Sequence, residues 1–216
     1  MEHLTSLVPK PMLKIGVKSL LEHKIDRLPA IIDEVIIVVG YKAESIKGYF
    51  GDFHNGRKIK YVYQDKLDGT GKTLWCAKPL LGDHFIVMNG DDIYAEKDIL
   101  ECLKFNFAIL AKRCMDAEQG ARIILNEESK LKDIVELHDQ KSDHKKSELI
   151  NTGVYVLSKK FFDYELVKLP SKEEWGLPQT VVSLAKDYPV EIVVTDFWIP
   201  LTSPVDLKIA EKLLTE

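Results

Sequence analysis

Short apolar runs alternate along this chain with amphipathic segments, and this alternation constrains the fold more than any other feature. The first clear run is EVIIVVG, residues 34–40, where β-branched residues follow one another without polar interruption. Such a run is typical of a strand that is buried on both faces of a sheet. The pattern therefore predicts an α/β fold in which helices cover both faces of a largely parallel sheet.

The same reasoning places the other elements, with turn residues, glycines and prolines marking their ends. Residues 98–113, DILECLKFNFAILAKR, are predicted to form one long helix. Helices are also predicted at 18–28, 43–51, 73–81, 178–186 and from Pro204 onward, and strands at 58–63, 84–92, 121–125, 132–137, 149–158 and 190–197.

Composition predicts one domain, 1–216, because a chain of 216 residues with 45% hydrophobic content supports one core and shows no composition shift. The net charge of −4 argues against a nucleic-acid partner. Because no stretch approaches the roughly 20 apolar residues of a membrane span, we expect a cytoplasmic protein without a membrane partner. Three cysteines without CxxC spacing predict neither a disulfide framework nor a zinc site.

The strand end MNGDDI is the first candidate for chemistry, since ligands of open α/β sheets bind at the carboxyl ends of strands. Asn89, Gly90 and Asp91 lie at this edge, and Gly90 permits close approach of the backbone to a ligand. An aspartate here can hold Mg²⁺ together with substrate phosphates. We assign the metal to Asp91 and expect Asp92 to cap the following helix.

Two other polar segments could contact a nucleotide. In the loop 64–73, Gln64 can donate and accept hydrogen bonds, and two glycines bring the backbone close to a planar ligand, so the loop could read a base. It is not a GxxxxGK[ST] phosphate loop, because Lys66 stands where the first glycine is required. Near the start, two prolines stiffen the chain around Lys10, whose ammonium can meet a phosphate, although a plain surface turn is the alternative.

The charged run DQKSDHKKSE, residues 139–148, contains two aspartates and one histidine and directly follows His138, and so raises the alternative of a metal site. Its spacing places no set of ligands on one face. A solvated hairpin loop is the favoured interpretation.

Taken in order, these segments resemble the nucleotidyltransferase family that includes the sugar-1-phosphate nucleotidylyltransferases. The resemblance rests on LVPKPMLKIGVKSLLEH, VIIVVGY, Gln64 followed by GTG, NGDD, DIVE, INTGVYVL and FWIPLTSPVDL, and it covers nearly the whole chain. It implies a Rossmann-like, three-layer mixed sheet with helices on both faces. It also implies an enzyme that uses Mg²⁺, a nucleoside triphosphate and a phosphorylated acceptor such as a sugar 1-phosphate. The oligomeric state stays open, with a homo-oligomer as one alternative.

The resemblance also assigns roles to individual residues. The catalytic pair is Lys10, which matches a phosphate-contacting lysine, and Asp91, which matches a metal-binding aspartate. The other positions that it assigns would bind substrates: the base-reading positions Gln64, Gly69 and Thr70, and the sugar-holding positions Glu136 and Asn151. Their place at the strand end adds Asn89 and Gly90 to the substrate-binding residues.

Three departures separate the chain from the family pattern. The family's opening strand and GxGTR loop precede the PKP segment, whereas this chain starts after that point, so we expect little or no activity of the chain as given and an exposed strand edge. Leu137 stands in place of the lysine of the family's EKP motif. Pro200 replaces the second metal aspartate of WxDxG, and Asp196 or Asp206 could substitute, although helix capping is the common role of a residue placed like Asp206.

Nucleotidyl transfer to a sugar 1-phosphate, with release of pyrophosphate, is the function that we expect. A phosphate monoester is already nearly dianionic at pH 7, so the transfer needs no general base and depends on positioning and charge neutralisation. The departures favour, as an alternative, an inactive nucleotide-sugar-binding or regulatory module. A phosphocholine-type cytidylyltransferase and a glycosyltransferase are less favoured, the latter because NGDD lacks DxD spacing.

Overall fold

The computed structural model describes residues 8–114, 120–136, 147–170, 172–201 and 203–215. The chain divides into two compact units. The first unit consists of Met1–Asp65, Asn89–Ile99 and Phe197–Glu216, and the second of Lys66–Met88 and Leu100–Asp196. The single domain expected for 1–216 stays a prediction.

Helices and strands alternate along much of the chain, as the apolar pattern predicts. The helices are α1 (Leu20–Asp26), α2 (Ala43–Phe50), α3 (Thr70–Ala77), α4 (Glu96–Cys102), α5 (Leu177–Leu184) and α6 (Pro204–Thr215), with 3₁₀ turns at Lys10–Met12, Lys78–Leu80 and Lys159–Asp163. The strands are β1 (Lys14–Ile15), β2 (Lys18–Ser19), β3 (Glu34–Val39), β4 (Phe53–His54), β5 (Arg57–Tyr63), β6 (His84–Met88), β7 (Asp92–Tyr94), β8 (Ala108–Arg113), β9 (Ala121–Leu125), β10 (Leu131–Glu136), β11 (Leu149–Ser158), β12 (Val167–Lys168), β13 (Trp175–Gly176), β14 (Glu191–Thr195) and β15 (Trp198–Pro200).

A three-stranded sheet lies in the first unit, where β3 and β4 pair with opposite sides of β5, β3 in parallel. Among the described residues, β3 is therefore an edge strand. The prediction that β3 is buried on both faces is wrong, since only Val39 of this strand is fully buried. Its β-branched run reflects packing against the helices, because Val39 shares one apolar core with Ile25 of α1 and Ile46 of α2.

A mixed six-stranded sheet lies in the second unit, in the order β10, β9, β11, β8 and β14, with β6 also paired to β11. The pair of β8 and β14 is parallel and the other pairs are antiparallel. Ile109 of β8, Leu157 of β11 and Val181 of α5 are fully buried in the core of this unit. The mixed α/β fold that the resemblance implies is confirmed. The largely parallel sheet predicted from the apolar pattern is wrong for this sheet, because only one of its described strand pairs is parallel.

The long helix predicted at 98–113 is wrong. Helix α4 ends at Cys102, and the second half of the segment forms the strand β8. Ala108–Ala111 of β8 are fully buried, because β11 and β14 lie on either side of the strand. The run FAILA has no polar position within it, so it suits a central strand that is covered on both faces better than a surface helix with one polar side.

Asp206 helps to cap the start of α6, as predicted, within a capping box in which Ser203 is the N-cap. Its carboxylate accepts the Ser203 N–H at 2.6 Å, and the Ser203 hydroxyl accepts the Asp206 N–H at 3.3 Å. Leu137 and residues 139–146 lie outside the described residues. Of the helices that the structure does describe, none is both long and apolar enough to cross a membrane.

Candidate functional site

Lys10 and Asp91 meet within the first unit. Lys10 opens the 3₁₀ turn Lys10–Met12, which the Met12 N–H closes by donating to the Pro9 carbonyl at 2.8 Å. Pro11 lies beside Gly90, since a Cβ atom built on Gly90 would be 3.6 Å from its Cγ. The Lys10 ammonium then donates to Asp91 Oδ2 at 2.6 Å. The fold thus brings the PKP and NGDD segments together.

This ion pair remains accessible to solvent. The side chain of Lys10 is 29% exposed and that of Asp91 is 38% exposed. Ion pairs of this kind contribute only about 0–1 kcal/mol, because water and salt screen them. A phosphate group or a cation can therefore replace either partner at small cost.

Lys24 is a buried lysine that the sequence analysis missed. It is 6% exposed and lies on the apolar face of α1 with Leu20, Leu21 and Ile25. Its Nζ donates to the carbonyl oxygen of Asn89 and lies 5.3 Å from the centre of the Tyr94 ring. A lysine on an apolar helical stripe is a signal that could have identified it.

Burial lowers the pKa of Lys24 to about 8, and the negative charges of Asp92 and Asp91 limit this shift. The Asn89 carbonyl and the face of the Tyr94 ring favour the charged form of this lysine. Its ammonium is a fixed positive charge next to the NGDD turn.

Asp92 is not a helix cap, and that prediction is wrong. It begins the short strand β7, is 6% exposed, and accepts the Tyr94 hydroxyl at 3.1 Å. Burial raises the pKa of Asp92, as does the charge of Asp91, while Lys24 opposes the shift. Pro200 of β15 is the residue paired with Asp92 in the antiparallel register. A residue without any side-chain oxygen thus stands opposite Asp92.

We call Lys10, Lys24, Asp91 and Asp92 the lysine–aspartate cluster. Asp91 uses Oδ2 for Lys10, which leaves Oδ1 for a cation, whereas Asp92 is buried and bonded to Tyr94. Mg²⁺ commonly takes one or two protein carboxylates and completes its shell with water and substrate phosphates. The residues present therefore fit a magnesium site with a single carboxylate, Asp91.

Gln64 follows β5 in the first unit and is 7% exposed. Its backbone N–H donates to the Val39 carbonyl at 2.8 Å, so Gln64 lies at the carboxyl ends of both β3 and β5. A Cβ atom on Gly40 would come within 3.1 Å of the Gln64 carbonyl oxygen. The strand ends are therefore packed closely where the sequence predicts a contact with the base.

Gly69 and Thr70 lie at the start of α3 in the second unit, close to β13. Gly69 has a φ of +102°, and a Cβ atom there would lie 2.5 Å from the carbonyl oxygen of Trp175. The Thr70 hydroxyl accepts the N–H of Leu177 at 3.0 Å. Both predicted base-reading residues thus make contacts that hold the helix start against the segment 175–177.

Asn151 and Glu136 surround Tyr155 in the second unit. The Asn151 amide donates to the Tyr155 hydroxyl at 2.5 Å and accepts the Gly153 N–H at 3.0 Å. Burial raises the pKa of Tyr155; the hydrogen bond from Asn151 opposes this shift and the charge of Glu136 adds to it. The two predicted sugar-holding residues therefore lie in one polar neighbourhood.

One group of three possible metal ligands occurs among the described residues, namely Glu22, Asp26 and His54. Asp26 already forms an ion pair with the Lys18 ammonium at 2.5 Å, and Glu22 accepts the Tyr49 hydroxyl. These contacts satisfy the carboxylates without a metal. The group is best explained as a polar network of the fold.

Comparison with known proteins supports the predicted family. The sequence model of the family Nucleotidyl transferase matches residues 1–199. The chain belongs to this family. Nucleotidyl transferases are enzymes, and the matched range includes all four residues of the lysine–aspartate cluster.

Individual relatives agree with this membership. The Bifunctional protein GlmU of Methanocaldococcus jannaschii is 35% identical over 215 residues, which are 99% of this chain and 51% of that protein. The chain thus spans about half the length of this relative. The D-glycero-alpha-D-manno-heptose 1-phosphate guanylyltransferase of Campylobacter jejuni is 35% identical over 174 residues, 78% of this chain and 75% of that protein.

A solved structure shows the same fold. A Bacillus anthracis protein in complex with sucrose superposes with a TM-score of 0.83 at 21% sequence identity. The match covers 99% of this chain and 89% of that chain. At this identity the likeness bears on the fold alone.

Proposed function

We propose that this chain transfers a nucleotidyl group from a nucleoside triphosphate to a sugar 1-phosphate and releases pyrophosphate. Family membership supports the reaction class. The heptose 1-phosphate guanylyltransferase, to which the chain is similar, supports a sugar 1-phosphate as the acceptor. The observation that carries the proposal is the exposed ion pair of Lys10 and Asp91 at a strand end.

The two members of this pair separate when substrates bind. The Lys10 ammonium turns to the triphosphate as a point charge, and the carboxylate of Asp91 is the group that would hold Mg²⁺. Bound Mg²⁺ would supply positive charge that offsets the charge of the phosphates. Because the ion pair contributes only about 0–1 kcal/mol, its loss does not prevent this exchange.

In the reaction, a phosphate oxygen of the sugar 1-phosphate forms a bond to the α-phosphorus of the triphosphate. The bond from that phosphorus to the oxygen bridging to the β-phosphate breaks, and its electron pair leaves with pyrophosphate. The attacking monoester is already close to dianionic at pH 7, so no residue has to remove a proton from it. Lys10 contributes by drawing the reactants together and neutralising charge.

The other predicted residues would bind the base and the sugar. Gln64, Gly69 and Thr70 are assigned to the base, and the Thr70 hydroxyl keeps its O–H for a ligand while accepting from Leu177. Glu136 and Asn151 are assigned to the sugar, because a carboxylate and an amide together can accept from hydroxyls and donate to them.

The proposal is tested by incubating the chain with Mg²⁺, each of the four nucleoside triphosphates, and as acceptor either one of a panel of sugar 1-phosphates or phosphocholine. Pyrophosphate is measured by a coupled assay and the nucleotide sugar by mass spectrometry. We expect one pair of substrates to yield both products in equal amounts, at a rate below that of an ordinary nucleotidyltransferase. Product formed only with phosphocholine would show that the acceptor is not a sugar 1-phosphate. Binding of a nucleotide sugar without release of pyrophosphate would identify the chain as a binding module.

A further inference from the structure

Lys24, like Asp92, is a member of the lysine–aspartate cluster that the proposed reaction does not use. Its ammonium is buried between α1 and the NGDD turn, where it contacts the Asn89 carbonyl and the face of Tyr94. A buried ammonium is costly unless nearby groups stabilise its charge. Here a carbonyl oxygen, an aromatic face and the charges of two aspartates do so.

These contacts give Lys24 two possible effects on the site. Through the Asn89 carbonyl it fixes the backbone two residues before Asp91. Through its charge it makes the cluster electrically neutral, since the two positive charges of Lys10 and Lys24 balance the two negative charges of Asp91 and Asp92. In addition, Pro200 adds no carboxylate at the position paired with Asp92.

We propose that Lys24 acts as a built-in cation of the lysine–aspartate cluster, so that the cluster has low affinity for free divalent ions and takes its metal together with the triphosphate. This inference rests on the proposed function, because it concerns the same site. It goes beyond that function by explaining why one aspartate can remain buried beside the metal position without binding a second ion. The negative charge of Asp92 is matched by Lys24 instead.

The charge count makes this proposal testable by metal binding alone. The formal charge of the cluster is 0 in the wild type, −1 in Lys24→Met, +1 in Asp92→Asn and 0 in the double variant. Adding or removing one unit charge about 10 Å from a bound cation, at an effective dielectric constant of about 20, changes the binding constant of that cation by about tenfold or more. The affinity for a divalent ion should therefore follow this order of charge.

The experiment measures binding of Mn²⁺, without nucleotide, to the full chain by electron paramagnetic resonance. We expect Lys24→Met to bind Mn²⁺ about tenfold more tightly than the wild type, and the double variant Lys24→Met/Asp92→Asn to return close to the wild-type affinity. Thermal melting of each variant verifies that the protein is folded. If Lys24→Met does not fold, the comparison of Asp92→Asn with the double variant measures the same tenfold difference.

A purely structural role for Lys24 predicts the opposite result. Loss of the Asn89 contact would loosen the turn that carries Asp91, and folded Lys24→Met would bind Mn²⁺ as weakly as the wild type or more weakly. That outcome overturns the proposal. Because the readout does not involve turnover, it is separable from the proposed function: a chain that releases pyrophosphate but shows no charge-ordered Mn²⁺ affinity refutes only the inference about Lys24.

Discussion

In the lysine–aspartate cluster of the first unit, predicted site residues meet through charged side chains, whereas at the start of α3 in the second unit they are held mainly by the backbone around them. Lys10 and Asp91 remain partly exposed and pair with each other. Gly69 and Thr70 are fixed by the backbone of Trp175 and Leu177. The difference indicates that substitutions in the first region affect chemistry more than stability, and substitutions in the second affect stability more than chemistry.

The largest effect is expected at Lys10. Lys10→Ala removes the ammonium that would bind phosphate, and we expect the rate of pyrophosphate release to fall by about 10²–10³-fold. The free energy of unfolding should change by at most about 1 kcal/mol, because the ion pair with Asp91 is partly exposed. Lys14→Ala, at an exposed lysine of β1, is the matched control. A wild-type rate for Lys10→Ala would remove Lys10 from the mechanism.

In the second unit, we expect a substitution at Gly69 to lower the stability of the protein. Gly69→Ala places a Cβ atom against the Trp175 carbonyl in a backbone conformation that side chains rarely adopt, so the free energy of unfolding should fall by about 1–3 kcal/mol. Gly48→Ala, in the exposed interior of α2 where the new Cβ atom meets nothing within 4 Å, should instead raise it by about 0.5–1 kcal/mol. Urea denaturation measures both. Equal effects of the two substitutions would contradict the close packing of Gly69 against Trp175.

Thr70 distinguishes a structural role from base recognition. Thr70→Ala removes the acceptor of the Leu177 N–H, and we expect a loss of about 1 kcal/mol of stability. Thr70→Ser keeps the hydroxyl and should keep the stability. If Thr70→Ala instead alters the ranking of nucleoside triphosphates at unchanged stability, the hydroxyl serves the ligand rather than the fold.

The smallest effect concerns pH and Tyr155. Its pKa is raised by burial, so the folded protein keeps the phenol neutral at a pH where the unfolded chain ionises it. The stabilisation by the neutral phenol is fully present below about pH 10, the pKa of tyrosine in the unfolded chain. It is lost as the pH rises above that value. At pH 10.5 the free energy of unfolding of the wild type should therefore be lower by about 0.8 kcal/mol than it is well below pH 10. Tyr155→Phe should not show this loss. Tyr63→Phe, at an exposed tyrosine, should leave the loss in place.

Much of the fold can be predicted from the local sequence, and the errors of that prediction have physical causes. The runs at β5, β9 and β11 are predicted because apolar residues there coincide with clear turn signals. The prediction of one helix over residues 98–113 is wrong because periodicity alone does not separate a buried strand from a helix. Pairing with the neighbouring strands β11 and β14 makes the second half of this segment the strand β8.

The site was predictable to a similar extent. The motif order indicates Lys10 and Asp91, which the fold brings to 2.6 Å. The burial of Asp92 and its contact with Tyr94 depend on the pairing of β7 with β15, two strands about a hundred residues apart in the sequence, and no local pattern encodes that pairing. Lys24 carried a signal, its place on the apolar stripe of α1, but the partner Asn89 is visible only in the fold.

The most direct test of the central claim, that Asp91 and Lys10 form a site for a metal and a phosphate, is nucleotide binding to Asp91→Asn. Isothermal titration would measure the dissociation constant of the preferred triphosphate with Mg²⁺ and with a chelator, for the wild type and for this variant. We expect the wild type to bind more tightly with Mg²⁺, and folded Asp91→Asn to bind equally weakly under both conditions. If Asp91→Asn binds the triphosphate with Mg²⁺ as tightly as the wild type does, Asp91 does not hold the metal.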